Sequence, residues 1–298
     1  MMKKNFPGII VLLVLAAWGC GQKTQYVEPV KSVTHDDIFS RSLVLEEYEK
    51  YLSKLDSFNI GTSTLAVQKF RDLFENANTD TRDAGYALFE AYYEKLTGHA
   101  GEKDTVDLEP FVYVEKSGAR KLPEELQKYE EYLHNNGFQV EISEGTPFIA
   151  QDRDFIAVRF YSYVSPVVKK YLEQLNMENK EGFSEDAGIY ITPKQFTERV
   201  VWWEKFVLNN PTFIMTDKAK ENKKFYLSWF LRGMDNTPVL SGKEFNEYYQ
   251  TAYSYLQETF PETEARRFVS PYYQALLQGN VLKADSLLEK YRSDGIIF

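Results

Sequence analysis

In almost every segment long enough to show a period, the apolar residues recur three, four or seven positions apart, a spacing that points to amphipathic helices packed on one another. Between Asp36 and Phe58, Ile38, Leu45, Tyr48, Leu52 and Leu55 make one stripe. Ser63 or Thr64 is placed to cap a second helix, with Leu65, Val67, Phe70, Leu73 and Phe74 facing inward. A third carries Tyr86, Phe89, Tyr93 and Leu96 and meets a natural stop at Gly98. Pro123 opens a helix that continues through Leu126, Tyr129 and Leu133 to Asn135. Another starts near Asp154 and runs through Tyr163, Val167, Tyr171 and Leu175, with Pro166 as its bend or break. The helix opened by Pro193 places Phe196, Val200, Trp203 and Val207 on one face, against the helix of Phe225 and Trp229. Trp202, about 100° further round, borders the next groove or solvent. Further helices are predicted over 215–232, 242–259, 262–278 and 280–292.

Two stretches break this period. Phe111 to Val114 reads as a short strand or extended segment. Phe138, Val140 and Ile142 alternate with Gln139 and Glu141 before Gly145 and Pro147, which predicts a half-buried strand. The expected fold is therefore all-α: irregular stacked helical hairpins with a short extended or strand interruption near 137–150. It divides into an N-terminal helical subdomain over 36–135 and a C-terminal helical-hairpin subdomain over 136–298. Cys20 is the one cysteine, so no disulfide can form within the chain and packing must supply the stability. The 21 Tyr, 21 Phe and 4 Trp suit that task, because large rings fill the wide gaps between stacked helices.

The first residues carry an address. Lys3 and Lys4 precede an uninterrupted apolar run from Ile9 to Ala17, then Gly19 and Cys20, after which polarity begins. A basic start, a short apolar core and small residues at a cleavage point describe a signal peptide over 1–19. The core falls short of the roughly 20 apolar residues a membrane span needs. Ala17, Trp18, Gly19 and Cys20 resemble a bacterial lipobox, similar to the looser form of the Bacteroidota. That resemblance implies acylation of Cys20, palmitate included, and a lipidated tether over 20–35. Several acyl chains on one N-terminus anchor firmly, at roughly 0.8 kcal/mol per buried methylene. Gly21 stands where an Asp would resemble an inner-membrane retention signal, and no acidic run follows Cys20. The outer membrane, facing the periplasm, is the expected location.

Three places share an internal pattern of helix, tight turn, small residue and later aromatic. They are Leu73–Ala77 leading to Ala84, Ala87 and Tyr92; Phe206–Thr212 leading to Ala219, Phe225 and Leu231; and Leu256–Thr263 leading to Ala265, Val269 and Tyr273. Pro211 and Pro261 lie 50 residues apart. The pattern resembles the tetratricopeptide-like helical repeats of periplasmic outer-membrane lipoproteins, most closely from Pro211 to Ala219 and again over Asn280 to Tyr291. An unrelated helical bundle with coincidental echoes is the alternative. The resemblance implies a protein-binding adaptor or scaffold whose partner is another envelope protein.

Chemistry is sparse. His35, His99 and His134 are isolated from one another, so no metal is expected, and no phosphate loop, dinucleotide fingerprint or nucleophile elbow implies a cofactor. A net charge of −9 argues against nucleic acid, whose phosphates demand Lys and Arg, and against broad adhesion to anionic lipid. Asp152 and Asp154 read as a turn and helix cap. The least ordinary stretch is Glu141 to Asp154, considered together with Glu185, Asp186, Arg199, Trp202 and Glu204. Glu144, Glu185, Arg199 and Trp202 form the candidate binding region, with no catalytic residue assigned. An acidic pair such as Glu144 and Glu185 flanking a groove would suit glycan hydrolysis in principle. A glycan- or peptide-binding lipoprotein is the alternative to the adaptor, and a carboxylate-dependent glycan hydrolase the less favoured one.

Overall fold

The computed structural model describes residues 35–103, 106–117 and 121–298, with side chains described from Leu43 onward except at 115–117. The signal peptide, Cys20 and the tether up to residue 34 lie outside the described residues. Twelve helices and four two-stranded antiparallel sheets make an all-α fold with small strand interruptions among the described residues. None of the described helices is long and apolar enough to cross a membrane.

Helices α1 (His35–Leu52), α2 (Thr62–Phe74) and α3 (Thr79–His99) pack on one another. Their shared core is aromatic: Tyr48 meets Phe74 edge-on at 5.3 Å and donates its hydroxyl to the Ala66 carbonyl at 2.9 Å. The Ser63 and Thr64 hydroxyls do not cap α2, whose N-cap position is Gly61 without a side-chain bond. Ser63 instead donates to the Asn136 carbonyl and Thr64 to the Asn136 amide oxygen, which ties α2 to the corner after α5 (Glu124–Asn135). Leu65 consequently faces outward. The segment around Phe111–Val114 is helical, as α4 (Glu109–Ser117), not extended; Phe111 and Val112 are both buried there. Adjacent apolar residues on one turn of a helix had mimicked a strand.

The expected strand is β1 (Phe138–Ser143). It pairs with a second strand that was not expected, β2 (Thr146–Gln151), in register from Phe138↔Gln151 to Ser143↔Thr146, and Pro147, read as part of a turn, lies within β2. The two-residue turn between them has both Glu144 and Gly145 at positive φ, the backbone that best matches the strand twist. Asp152 then caps α6 (Arg153–Phe160) by accepting from the Asp154 amide. Pro166 breaks the long predicted helix in two. α7 (Pro166–Glu181) starts afresh with Ser165 as its cap and proline in its first turn. Phe160, at the end of α6, sits among Phe70, Tyr86 and Phe89 with ring centroids 4.5–5.0 Å away, so α6 is seated in the α2–α3 core.

The C-terminal part adds α8 (Pro193–Asn209), α9 (Thr216–Arg232), α10 (Glu247–Thr259), α11 (Glu264–Leu277) and α12 (Val281–Ser293). Phe196 near the start of α8 meets Phe230 near the end of α9 at 4.9 Å, which makes the pair an antiparallel hairpin. α10 packs on α8 and α11, and α12 on α11. Two of the internal echoes are geometric. α8 and α10 close with Asn210 at φ −130, ψ 61 and Phe260 at φ −127, ψ 59, each directly before its proline. α7 and α9 close with Gly182 at φ 67, ψ −170 and Gly233 at φ 72, ψ −178. The turn after α2 differs, since Glu75 keeps helical angles there. The pattern over 206–231 and 256–273 is thus a repeated helix connection, whereas the one over 73–92 is a sequence echo alone.

After each of Gly182 and Gly233 the chain makes a minimal hairpin, β3 (Ser184–Glu185) with β4 (Gly188–Ile189) and β5 (Gly233–Met234) with β6 (Thr237–Pro238). A third joins β7 (Leu240–Ser241) to β8 (Glu244–Phe245), and its turn and second strand fall where the helix over 242–259 was expected to begin. Asn236 joins the first two: its backbone N–H donates to the Ala187 carbonyl at 3.0 Å and its side-chain amide to the Asp186 carbonyl.

Candidate functional site

The four candidate binding residues fall in two places. Glu144, on the β1–β2 turn, and Glu185, on the β3–β4 hairpin, line one open concavity with Asp186, Gly188, Ile189 and Tyr190. Both carboxylates are exposed. A general acid for glycan cleavage is normally held in an apolar, enclosed setting that keeps its proton, and water-exposed carboxylates lack it. The Tyr190 hydroxyl sits against Gly182, where even a methyl group would overlap it.

Arg199 and Trp202 line a second concavity, the groove between α7 and α8, with Gln174, Met177, Glu181, Gln195 and Glu198. The local sequence explains how α8 is held. Thr192 and Gln195 form a reciprocal capping box ahead of Pro193, fixing the start of the helix. Positions 195, 198, 199 and 202 then share the face toward α7. Trp202 is half-buried and stacks on Phe206 at 5.0 Å with rings 9° from parallel, while Met177 is 41% exposed opposite.

Beneath this groove lies a polar network that the sequence reading missed. Glu178 of α7 accepts from Gln174 at 2.6 Å and Trp203 Nε1 at 2.8 Å on one oxygen, and from Tyr226 at 2.9 Å on the other. Arg199 is buried and donates to the Gly182 carbonyl at 2.7 Å and to Glu181 at 2.8 Å. Burial pushes the Glu178 carboxyl above its ordinary value; the bonds from Gln174 and Tyr226, the Arg199 charge and the Trp203 bond pull it only partly back. Trp203 is fully buried, as its helical position requires, but its ring neighbours are Tyr171, Trp202 and Phe206. The predicted partners Phe225 and Trp229 pack instead on each other and, through Phe225, on Phe183. The inward face of α8 is wide enough to meet α7 and α9 at once, and Trp203 is on the α7 side.

A second buried charge cluster joins α3 to α6. Arg153 donates to Glu90 at 2.7 Å, and Tyr86 donates to the other oxygen of the same carboxylate. Burial would raise the Glu90 carboxyl, but the Arg153 charge with the Arg153 and Tyr86 bonds outweighs it and holds the group below its ordinary value. Glu204, also singled out in the sequence, accepts from the Glu264 and Ala265 amides at 2.6 and 2.7 Å and so caps α11 from a different helix. His99 stacks on Phe58 at 4.2 Å and His134 contacts Asp152 at 3.1 Å, both at the surface of the N-terminal part.

No family model, no curated protein and no solved structure matches this chain.

Proposed function

We propose that the protein is a lipoprotein held by acylated Cys20 on the periplasmic face of the outer membrane, where its helix pairs serve as a scaffold for another envelope protein. The observation that carries this reading is the repeated connection geometry of the C-terminal part. Asn210 and Phe260, and likewise Gly182 and Gly233, set successive helix pairs into equivalent turns about 50 residues apart. Such an array lays equivalent helix faces side by side and builds extended binding surfaces from them. Large apolar side chains remain uncovered along it, with Leu208 on α8 72% exposed and Leu282 on α12 85% exposed. A partner laid across α8 or α12 would cover these side chains and take them out of water.

Two measurements test the reading. Intact-mass analysis of membrane-extracted protein should find a chain that begins at Cys20 and carries acyl mass; an unmodified chain starting at Met1 removes the anchor. A photoreactive side chain at Leu208 or Leu282, activated in native membranes, should crosslink to a defined envelope protein. Absence of any protein adduct at both positions removes the scaffold.

A further inference from the structure

Resting on the scaffold reading, we infer that the groove between α7 and α8 is the docking site for a partner segment that combines an apolar side chain with a neighbouring Lys or Arg. Among its polar lining residues the groove holds one apolar, adaptable pair. One face of Trp202 rests on Phe206 and the residue is left half-exposed, while Met177 stands 41% exposed across from it. An anchored tryptophan beside a flexible thioether is the kind of surface into which a leucine or another aliphatic side chain packs.

The rim decides the charge of the occupant. Two carboxylates, Glu181 and Glu198, and one guanidinium, Arg199, line the groove. Arg199 is buried and already bonded to Glu181 and to the Gly182 carbonyl, so it offers little charge to an incoming anion. Glu198 is exposed, accepts the Tyr255 hydroxyl at 3.1 Å and makes a loose surface ion pair with Lys194 at 3.8 Å, a kind of pair that is worth little in water. Glu178 lies just below, adding negative charge whenever it is ionised. With Glu181 and Arg199 paired to each other, the exposed charge of the opening is the negative one of Glu198, beside the apolar Trp202 and Met177. A basic-aliphatic segment satisfies both, whereas an acidic segment would place like charge against Glu198. Polyhydroxylated ligands would use Trp202 but gain nothing from the charge.

The test uses three blocked heptapeptides, Gly-Lys-Leu-Gly-Lys-Leu-Gly, the same with Glu for each Lys, and the same with Ser for each Leu, alongside a chitotetraose control. Binding to the full mature chain is followed by calorimetry and tryptophan fluorescence. The Lys-Leu peptide should bind saturably, and the Glu and Ser peptides at least about tenfold more weakly. Trp202→Ala should weaken the Lys-Leu peptide by about tenfold or more. Glu198→Lys should weaken it and strengthen the Glu-Leu peptide, a reversal that loss of fold cannot produce; circular dichroism confirms that both variants remain helical. Equal binding of the Lys and Glu peptides, binding that survives Trp202→Ala, preference for the oligosaccharide, or no binding by any peptide each overturns the proposal. A partner that crosslinks through Leu208 but never through a photoreactive group at Met177 overturns the groove assignment while leaving the scaffold standing.

Discussion

The Trp203 indole N–H donates to Glu178 at 2.8 Å, across from α8 to α7, and thereby spends the one polar atom of a fully buried side chain on a carboxylate that needs donors. Trp202, its neighbour in sequence, has no such bond and leans on Phe206 at the groove. One helix thus carries a structural tryptophan and a surface-forming one side by side. Replacing Trp203 by Ala should cost about 3–5 kcal/mol, the usual price of deleting a large buried aromatic. Trp202→Ala should cost roughly 1–2 kcal/mol, in the ordinary range for a partly buried position. Urea denaturation of the two variants, with the N-terminal tether removed, gives the comparison, and equal losses would contradict the burial difference.

Glu178 gives the structure a pH dependence of definite sign. Its folded value lies above the unfolded one, so the folded state holds the proton more tightly. This stabilising contribution is complete below the ordinary carboxylate range and is lost as pH rises through the folded value. Glu178→Gln removes the titrating group while keeping one oxygen to accept from Trp203. The stability of wild type relative to this variant should therefore fall as pH rises from about 4.5 toward neutrality. Denaturation midpoints at several pH values test it, and a difference that grows with pH would reverse the assignment.

Apart from the short α4, the helices were legible because several turns repeat one period, and β1 because Phe138, Val140 and Ile142 alternate; β2 was not, since Gly145 and Pro147 read as the end of a strand. Nor were the minimal hairpins, because two-residue strands have no period, and Gly182 and Gly233 look like ordinary helix stops until their backbone angles are known. Glu178 left a readable trace. Val168, Tyr171, Leu175 and Glu178 fall at intervals of three and four, which puts a charge in the inward stripe. Glu90 stands four residues after Tyr86 in the same way. What the sequence could not supply was the partner of each, since Arg153 lies 63 residues from Glu90 and Trp203 lies 25 from Glu178. Arg199 and Trp202 line one groove because they share one helix face, whereas Glu144 and Glu185, 41 residues apart, line one concavity through two separate turns.

The two glycines that end α7 and α9 should respond differently to the same substitution. Both have φ near +70° with extended ψ, a region open essentially to glycine alone, so alanine at either costs about 1–3 kcal/mol in backbone strain. At Gly233 the new methyl group would also meet the Thr237 carbonyl oxygen and the Val239 nitrogen at 2.8 Å, backbone atoms in and directly after β6. At Gly182 the obstacle is the Tyr190 side chain, which is exposed and able to swing aside. Gly233→Ala should accordingly be the more destabilising of the two. Adding Tyr190→Ala should recover part of the Gly182→Ala loss, and thermal denaturation of the three variants checks the order.

The Glu90–Arg153 pair tests what joins α6 to the N-terminal helices. Both side chains are almost wholly buried, and the carboxylate also takes the Tyr86 hydroxyl. Removing one partner leaves the other charge in a low-dielectric interior, so Glu90→Leu or Arg153→Met alone should cost about 3–5 kcal/mol. Replacing both, as Glu90→Leu with Arg153→Met, removes the desolvation penalty of each ion along with their attraction. That double variant should come within about 1–2 kcal/mol of wild type, or exceed it. The sign with pH is opposite to that of Glu178. Glu90 is held below its unfolded value, so its contribution is full above the ordinary carboxylate range and disappears as pH falls through the lowered one. The double variant should therefore lose less stability on acidification than wild type does. Urea unfolding of all four members of the cycle, at neutral pH and again near pH 4, measures both effects. Additive single losses would show that the two charges do not sense each other across the α3–α6 contact.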